Sequence, residues 1–281
     1  MTRPAFRMAS PKGSPLWPAW QAPSHWQSID FISDLHLQIG DPATFKTWQH
    51  FMQTTPANAL FILGDLFEVW VGDDVMTEAS GLNESSNFEV QCAQVLKAAS
   101  QRLDIFFIHG NRDFLVGTAF AKRSGMTLLN DPTPLIFAGQ RWLLSHGDAL
   151  CLGDTDYQQF REQVRSATWQ QEFLAKPLAE RQQIARTLRS QSDMLKRSGA
   201  TYADVEGDAA CNWLHQANAQ TLIHGHTHKP ATHALKSGLS RIVLSDWDAL
   251  AVPARAEVLR VSVSPDNKGA SLQRLKVALA A

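Results

Sequence analysis

The order of apolar and polar positions predicts alternating strands and helices in the first part of the chain. The runs SIDFIS (28–33), ALFILG (59–64) and DIFFIHG (104–110) are short, apolar and rich in β-branched or aromatic residues, which is typical of buried strands. Between them, residues 42–54 and 87–102 predict helices, and the second has apolar side chains at three- and four-residue spacings. This alternation indicates βαβ units and a largely parallel sheet.

The pattern changes after the third strand. Residues 134–147 predict a hairpin that turns near Gly139, and residues 155–217 are mostly helical. Five further strand-like runs follow: TLIHGH, THALK, SRIVLS, AEVLRVSV and SLQRLKV. We therefore predict an α/β fold with two packed, mixed β-sheets flanked by helices and a helical lid insertion over about residues 155–215.

The N-terminal segment differs from the rest. Residues 1–26 contain five prolines and no continuous apolar run, so we expect a disordered extension rather than a secretory signal. Residues 27–281 are expected to form one domain. No run approaches the roughly 20 apolar residues that span a bilayer.

Composition narrows the range of partners. Hydrophobic residues make up 44% of the 281 residues, which supports a substantial core. The formal net charge of −1 provides no global field for nucleic acid, and we expect no nucleic-acid partner. The three cysteines are odd in number and lie far apart, so free thiols are expected instead of disulfides or a thiolate metal site.

Polar side chains follow five of the strand-like runs. They belong to the segments Asp34-Leu35-His36, Gly64-Asp65, Gly110-Asn111-Arg112-Asp113, His146-Gly147-Asp148 and His224-Gly225-His226-Thr227-His228. In open α/β sheets the crevice beyond the carboxyl ends of the strands binds ligands, so these groups are expected to converge. Each segment alone is weak evidence, but their joint occurrence at strand ends argues against coincidence.

The donor types indicate a metal centre. Carboxylate, amide oxygen and imidazole suit Mn²⁺, Fe²⁺ or Zn²⁺. In Asp34-x-His36 and His226-x-His228 we expect both side chains on one face of an extended chain, since strand side chains repeat every two residues. For Asp113 and Asp148 two roles stay open, orienting an imidazole or capping a turn, and Asp73-Asp74 is either a support for the site or a polar loop.

The motif order D-x-H, GD, GN, H and GH-x-H resembles the calcineurin-like metallophosphoesterase superfamily over roughly residues 28–250. The resemblance implies two divalent metal ions bridged by Asp65, and it gives His224 no ligand role. The implied ligands of the first metal are Asp34, His36, Asp65 and His228, and those of the second are Asp65, Asn111, His146 and His226.

A narrower resemblance concerns the segments around these motifs. FISDLHL, ILGDLFEVWVGDD, FIHGNRDFLVG, SHGDALCLGDTDYQQFR and LIHGHTHKP are similar to the pyrophosphatases of lipid A biosynthesis, which use Mn²⁺ to hydrolyse UDP-2,3-diacylglucosamine to UMP and 2,3-diacylglucosamine 1-phosphate. Arg112 stands where many superfamily members have histidine, and a guanidinium clamps phosphate but donates protons poorly, which favours a phosphoric anhydride substrate.

The narrower resemblance implies roles for further residues. The catalytic set is Asp65, Asn111, Arg112 and His226. The substrate-binding set is Asn111, Arg112, Asp154, Ser192, Lys196 and His226. It also implies a cytoplasmic protein on the cytoplasmic face of the inner membrane, in peripheral contact with the membrane surface, and we expect a monomer.

The helical insertion allows two interpretations. Residues 157–200 carry eight basic and four acidic residues, a local charge of about +4, with apolar residues at helical spacings. Such an element can cap an acyl-binding groove or lie on a membrane, or it can be an ordinary helix pair that packs on the core. Other functions stay open: a metallophosphoesterase acting on another nucleotide pyrophosphate or phosphodiester, or a non-catalytic scaffold.

Overall fold

The computed structural model describes residues 16–77, 87–197, 203–265 and 269–279, and the side chains of the helix that ends at Arg197 are described as far as Ser190. The described residues form two six-stranded sheets. The first has the order β12-β11-β2-β3-β4-β5. Its strands are β2 (Ser28–Ile32), β3 (Ala59–Leu63), β4 (Asp104–Ile108), β5 (Thr127–Leu129), β11 (Glu257–Val263) and β12 (Ala270–Lys276).

The second sheet has the order β1-β6-β7-β8-β10-β9. Its strands are β1 (Trp20–Gln21), β6 (Thr133–Phe137), β7 (Gln140–Leu144), β8 (Thr221–His224), β9 (Ala231–Ala234) and β10 (Ser240–Val243). Both sheets contain parallel and antiparallel pairs, which confirms the predicted mixed sheets. The predicted hairpin is confirmed as the antiparallel pair β6–β7.

Seven α-helices flank the sheets in the described residues. They are α1 (Pro42–Thr54), α2 (Phe88–Ala99), α3 (Thr118–Ser124), α4 (Thr155–Arg165), α5 (Ala167–Leu174), α6 (Leu178–Arg197) and α7 (Gly207–Ala217). The first begins where Asp41 accepts a hydrogen bond from the Thr44 N–H at 3.0 Å, with Pro42 in its first turn. None of the described helices is long and apolar enough to cross a membrane.

Apolar side chains fill two main layers. Between the sheets, Phe31, Phe61 and Phe106 pack with Trp142 and Ile223 of the second sheet. The other face of the first sheet packs against α1, α2 and α3, and the buried residues there include Trp48, Leu96 and Phe120. Because both faces of β3 are covered, all five of its residues are buried, which explains its unbroken apolar sequence.

The expectation of a disordered segment over residues 1–26 is wrong for residues 16–26. The strand β1 pairs with β6 in parallel, and Trp26 is 2% exposed between the sheets. Trp20 stacks on Trp26 with ring centroids 5.3 Å apart. Burial of Trp26 and partial burial of Trp20 outweigh the effect of the prolines, which are tolerated beside an edge strand. Residues 1–15 lie outside the described residues.

The insertion packs on the layer between the first sheet and the helices α1, α2 and α3. Phe173 is buried there, and Trp169, Leu178 and Ile184 are partly buried against the same layer. Other apolar residues of the insertion are exposed, namely Phe160, Leu174 and Leu188. Some of the described apolar residues of the insertion therefore pack on the core, and others face solvent.

Candidate metal centre

The polar segments lie at one end of the two sheets. Asp34, Asp65 and Asn111 follow the parallel neighbours β2, β3 and β4. His146 and His226 follow β7 and β8, which are parallel neighbours in the second sheet. Since parallel strands end on the same side, all five segments are brought together where the ends of the two sheets meet.

The first donor cluster contains Asp34, His36 and His228. His228 Nε2 lies 3.2 Å from Asp34 Oδ1 and 3.4 Å from His36 Nε2. The ligand atoms of these three residues all lie within 4.8 Å of one another, which is close enough to surround one cation.

The second donor cluster is centred on the Asn111 side chain. Asn111 Oδ1 lies 3.0 Å from His146 Nε2 and 3.0 Å from His226 Nδ1. One amide oxygen therefore lies between two imidazole nitrogens, in an arrangement that can hold a second cation.

Asp65 lies between the two donor clusters. Its Oδ2 is 3.9 Å from His36 Nε2, and its Oδ1 is 3.8 Å from His146 Nε2. Each carboxylate oxygen thus faces a different cluster, which is the arrangement that a bridging ligand needs.

The backbone at these residues is not extended. Eight described residues other than glycine have positive φ, and five of them are predicted ligands: Asp34, His36, Asp65, His226 and His228. The expectation that the D-x-H and H-x-H pairs share one face of an extended chain is therefore wrong. Left-handed backbone turns bring these side chains to the site, and such strain at non-glycine residues is typical of functional sites.

Buried contacts hold these turns in place. The Asp113 carboxylate accepts hydrogen bonds from the N–H groups of Leu66 at 2.7 Å and Gly110 at 2.8 Å, so of its two open roles it caps turns. Gly64 has φ +89°, and a Cβ atom there would collide with the His146 ring and with Gly110. A residue with a side chain at this position would therefore displace a candidate ligand.

The buried carboxylates of the site need positive charge beside them. Burial opposes protonation of His146, but the carboxylates of Asp65, Asp148 and Asp34 raise its pKa to about 9. Burial also acts to raise the pKa of Asp34, yet His228, His146 and His36 hold that pKa well below its usual value. In the metal-free protein, protonated imidazole thus offsets the buried carboxylates, and a divalent cation can supply the same positive charge.

Further contacts orient three of the imidazoles. His146 Nδ1 lies 2.9 Å from the Leu63 carbonyl, His36 Nδ1 lies 2.9 Å from Glu68 Oε2, and His228 Nδ1 lies 3.7 Å from Asp246 Oδ2. In each case the second ring nitrogen faces the donor clusters. Glu68 and Asp246 were not singled out from the sequence, because Asp246 is distant in the chain from its histidine and nothing local marks Glu68.

Asp148 supports the site from the side of the insertion. It accepts hydrogen bonds from Tyr157 Oη at 2.6 Å and Arg161 Nε at 2.8 Å, so it anchors α4 instead of orienting an imidazole directly. The Tyr157 ring in turn stacks on His226, with centroids 5.9 Å apart. Tyr157 lies in the segment DTDYQQFR, but only the fold shows that its ring reaches His226.

The remaining predicted site residues are placed as follows. Arg112 donates its backbone N–H to Asp65 Oδ1 at 2.8 Å, and its buried Nε has no hydrogen-bond partner among the described residues. Asp154 caps α4 by accepting from the Tyr157 N–H at 3.1 Å. Ser192 and Lys196 lie in α6 but outside the residues whose side chains are described.

The Asp73-Asp74 pair has structural contacts. Asp73 accepts hydrogen bonds from the N–H groups of Gly117 at 2.8 Å and Phe120 at 3.0 Å, at the start of α3. Asp74 forms a bidentate ion pair with Arg181 of α6. The pair thus anchors helices and does not reach the donor clusters through these contacts.

Two mixed sheets with converging carboxylate, amide and imidazole donors at their ends define a metallophosphoesterase fold. A sequence model of the calcineurin-like phosphoesterase family matches residues 28–230, and the chain belongs to this family. The matched range contains all seven candidate ligands.

Within this family the chain is similar to curated proteins named UDP-2,3-diacylglucosamine hydrolase. The protein from Shewanella piezotolerans is 44% identical over 77% of this chain and 89% of its own length. That from Chromobacterium violaceum is 48% identical over 78% and 90%. That from Xanthomonas axonopodis pv. citri is 40% identical over 87% of this chain and 98% of its own length.

Proposed function

We propose that this protein hydrolyses the pyrophosphate bond of UDP-2,3-diacylglucosamine, releasing UMP and 2,3-diacylglucosamine 1-phosphate, in lipid A biosynthesis. The observation that carries the proposal is the pair of donor clusters joined by Asp65, with Arg112 beside them. The substrate is supported by relatives that are 40–48% identical and bear the name of this hydrolase.

The site fits two divalent cations, and we propose Mn²⁺ as the native metal. Asp34, His36 and His228 would hold the first, and Asn111, His146 and His226 the second, with Asp65 shared. Hard oxygen and intermediate nitrogen donors without a thiolate suit Mn²⁺. When bound, such a metal pair supplies positive charge at the phosphoryl group and lowers the pKa of water.

The protein's own residues bind and orient the substrate. The buried Arg112 Nε has no partner among the described residues, so its guanidinium is available to clamp phosphate oxygens through a planar fork. Because arginine stays protonated at neutral pH, Arg112 contributes charge and not a proton. We assign further substrate contacts to Asn111, Asp154, Ser192, Lys196 and His226, and these assignments stay predictions.

We also propose that the protein acts as a monomer in peripheral contact with the cytoplasmic face of the inner membrane. A lipid-linked substrate requires access to a membrane surface. The net positive charge of the insertion and its exposed Phe160, Leu174 and Leu188 support that contact. Flotation of the protein with anionic and with neutral vesicles tests the membrane contact. If the protein binds neither kind of vesicle, the proposed contact is wrong.

The decisive assay uses purified protein, Mn²⁺ and UDP-2,3-diacylglucosamine in detergent, with UMP detected by mass spectrometry. In ¹⁸O-labelled water we expect the label in UMP, since the proposed attack is at the α-phosphorus. UDP-N-acetylglucosamine, which lacks the two acyl chains, is the matched control and should turn over much more slowly. Absence of UMP, with hydrolysis of another nucleotide pyrophosphate or of a phosphodiester, would assign the protein to a different substrate.

A further inference from the structure

Glu68 joins a candidate metal ligand to the helical insertion. It lies three residues past Asp65, after β3, and its side chain is 12% exposed. Its Oε2 is 2.9 Å from His36 Nδ1, and its Oε1 is 2.6 Å from Arg189 Nε. Arg189 belongs to α6, so one carboxylate contacts both an imidazole of the site and the longest helix of the insertion.

The contact with Glu68 determines which nitrogen of His36 can bind a cation. A carboxylate beside Nδ1 keeps the proton on that nitrogen and leaves the lone pair on Nε2. His36 Nε2 is the nitrogen that faces His228 and Asp65. Glu68 therefore holds both the tautomer and the ring orientation that the first donor cluster needs.

The contact with Arg189 restrains the carboxylate. The Glu68 side chain is 12% exposed, and its Oε1 lies 2.6 Å from the guanidinium Nε of Arg189, so a cation of α6 holds the partly buried carboxylate. If α6 moved away, Glu68 would lose a charged partner and the His36 ring would lose the restraint that passes through Glu68. Conversely, a cation on His36 favours the ring orientation in which Glu68 also meets Arg189.

We propose that Glu68 is a positioning residue that couples docking of α6 to metal binding at His36. Binding of the metal and docking of the insertion then stabilise each other, because a coupling free energy acts equally in both directions. The inference rests on the proposed metal centre but not on the identity of the substrate.

The test compares five forms of the full-length, metal-stripped protein: wild type, Glu68→Gln, Arg189→Met, the double variant of these two substitutions, and Arg186→Met. The last is the matched control, because Arg186 lies on the same helix, carries the same charge, and donates from its Nη2 to Gln183 Oε1 at 2.9 Å on the surface. Mn²⁺ affinity is measured by isothermal titration calorimetry without substrate. Circular dichroism in EDTA checks that each variant is folded.

We expect Glu68→Gln to weaken Mn²⁺ binding at one site by roughly 10- to 100-fold, as is usual when a residue that orients a metal ligand is replaced. Arg189→Met, which removes the cation beside Glu68 Oε1, should weaken the same site by roughly 5-fold or more. Arg186→Met should bind like wild type. In the double variant Glu68→Gln/Arg189→Met, the loss of Mn²⁺ binding free energy should be smaller than the sum of the two single losses, because both substitutions break the same chain of contacts through Glu68.

Hydrogen exchange gives the reciprocal readout. Mn²⁺ should slow amide exchange in α6 of the wild type and of Arg186→Met, and it should do so much less in Glu68→Gln. Wild-type Mn²⁺ affinity in Arg189→Met, or fully additive losses in the double variant, would overturn the proposal. Since no substrate is present, these results are independent of whether UDP-2,3-diacylglucosamine is hydrolysed, and a wild type that binds no Mn²⁺ would overturn the coupling together with the metal centre.

Discussion

Replacing Arg181 by alanine tests whether the insertion docks as a separate unit. The Arg181 side chain is 2% exposed at the start of α6. Its Nη1 donates to Asp74 Oδ1 at 2.9 Å and to the Val71 carbonyl, and its Nε donates to the Lys176 carbonyl at 3.0 Å. One guanidinium thus ties the insertion to the loop that follows β3.

The cost of Arg181→Ala can be worked from these contacts. Breaking a buried, hydrogen-bonded charge pair costs about 3–5 kcal/mol. The Asp74 side chain is 47% exposed, so water compensates part of its loss. The lower end, about 3 kcal/mol, is therefore expected, and it corresponds to a roughly 100-fold larger population of the undocked insertion.

Hydrogen exchange measures that population directly. In Arg181→Ala we expect faster amide exchange across α5 and α6, while β2, β3 and β4 keep their protection, because local opening does not require global unfolding. The control is Glu180→Gln, which breaks the exposed Lys176–Glu180 ion pair of 2.6 Å and should cost at most about 0.5 kcal/mol. Unchanged exchange in Arg181→Ala, or equal loss of protection in the sheet, would show that Arg181 does not hold the insertion as a separate unit.

Three further outcomes are expected. Asp65→Ala should lose both metals and all turnover, measured as metal content by mass spectrometry and as UMP release; retention of two metals would contradict its bridging role. Arg112→Ala should keep both metals but lower kcat/KM, and metal loss equal to that of Asp65→Ala would contradict the assigned role. The three thiols are buried, and burial followed by the charge of a nearby carboxylate raises the pKa of Cys151 to about 12, so Cys92, Cys151 and Cys211 should react with Ellman's reagent only after unfolding; rapid reaction of the native protein would contradict their burial.

Apolar patterning predicted much of the fold. The helix predicted over residues 42–54 is observed as Pro42–Thr54, because its start is determined by a local cap and a proline. The strand β3 is uniformly apolar, and β2 and β4 are apolar except at Ser28, Asp30 and Asp104, so these runs are easily read from sequence as buried strands. The short strands β1 and β5 were not predicted, because two or three residues carry no periodicity.

The convergence of the candidate ligands was predictable, but the way in which the backbone brings them together was not. Strand ends in parallel sheets meet on one side, so the positions of Asp34, Asp65 and Asn111 follow from topology. The positive φ angles of Asp34 and His36 depend on buried contacts formed by residues distant in the chain. Likewise, Glu68 and Tyr157 support His36 and His226 through contacts that exist only in the folded chain.

The proposed activity requires donors from five strand ends to surround a pair of cations. The most direct measurement is an anomalous difference map from crystals of the full chain grown with Mn²⁺. We expect two peaks about 4 Å apart, with Asp65 in contact with both, one beside His36 and His228 and the other beside Asn111 and His146. A single peak, or peaks away from Asp65, would show that these donors do not share a pair of cations.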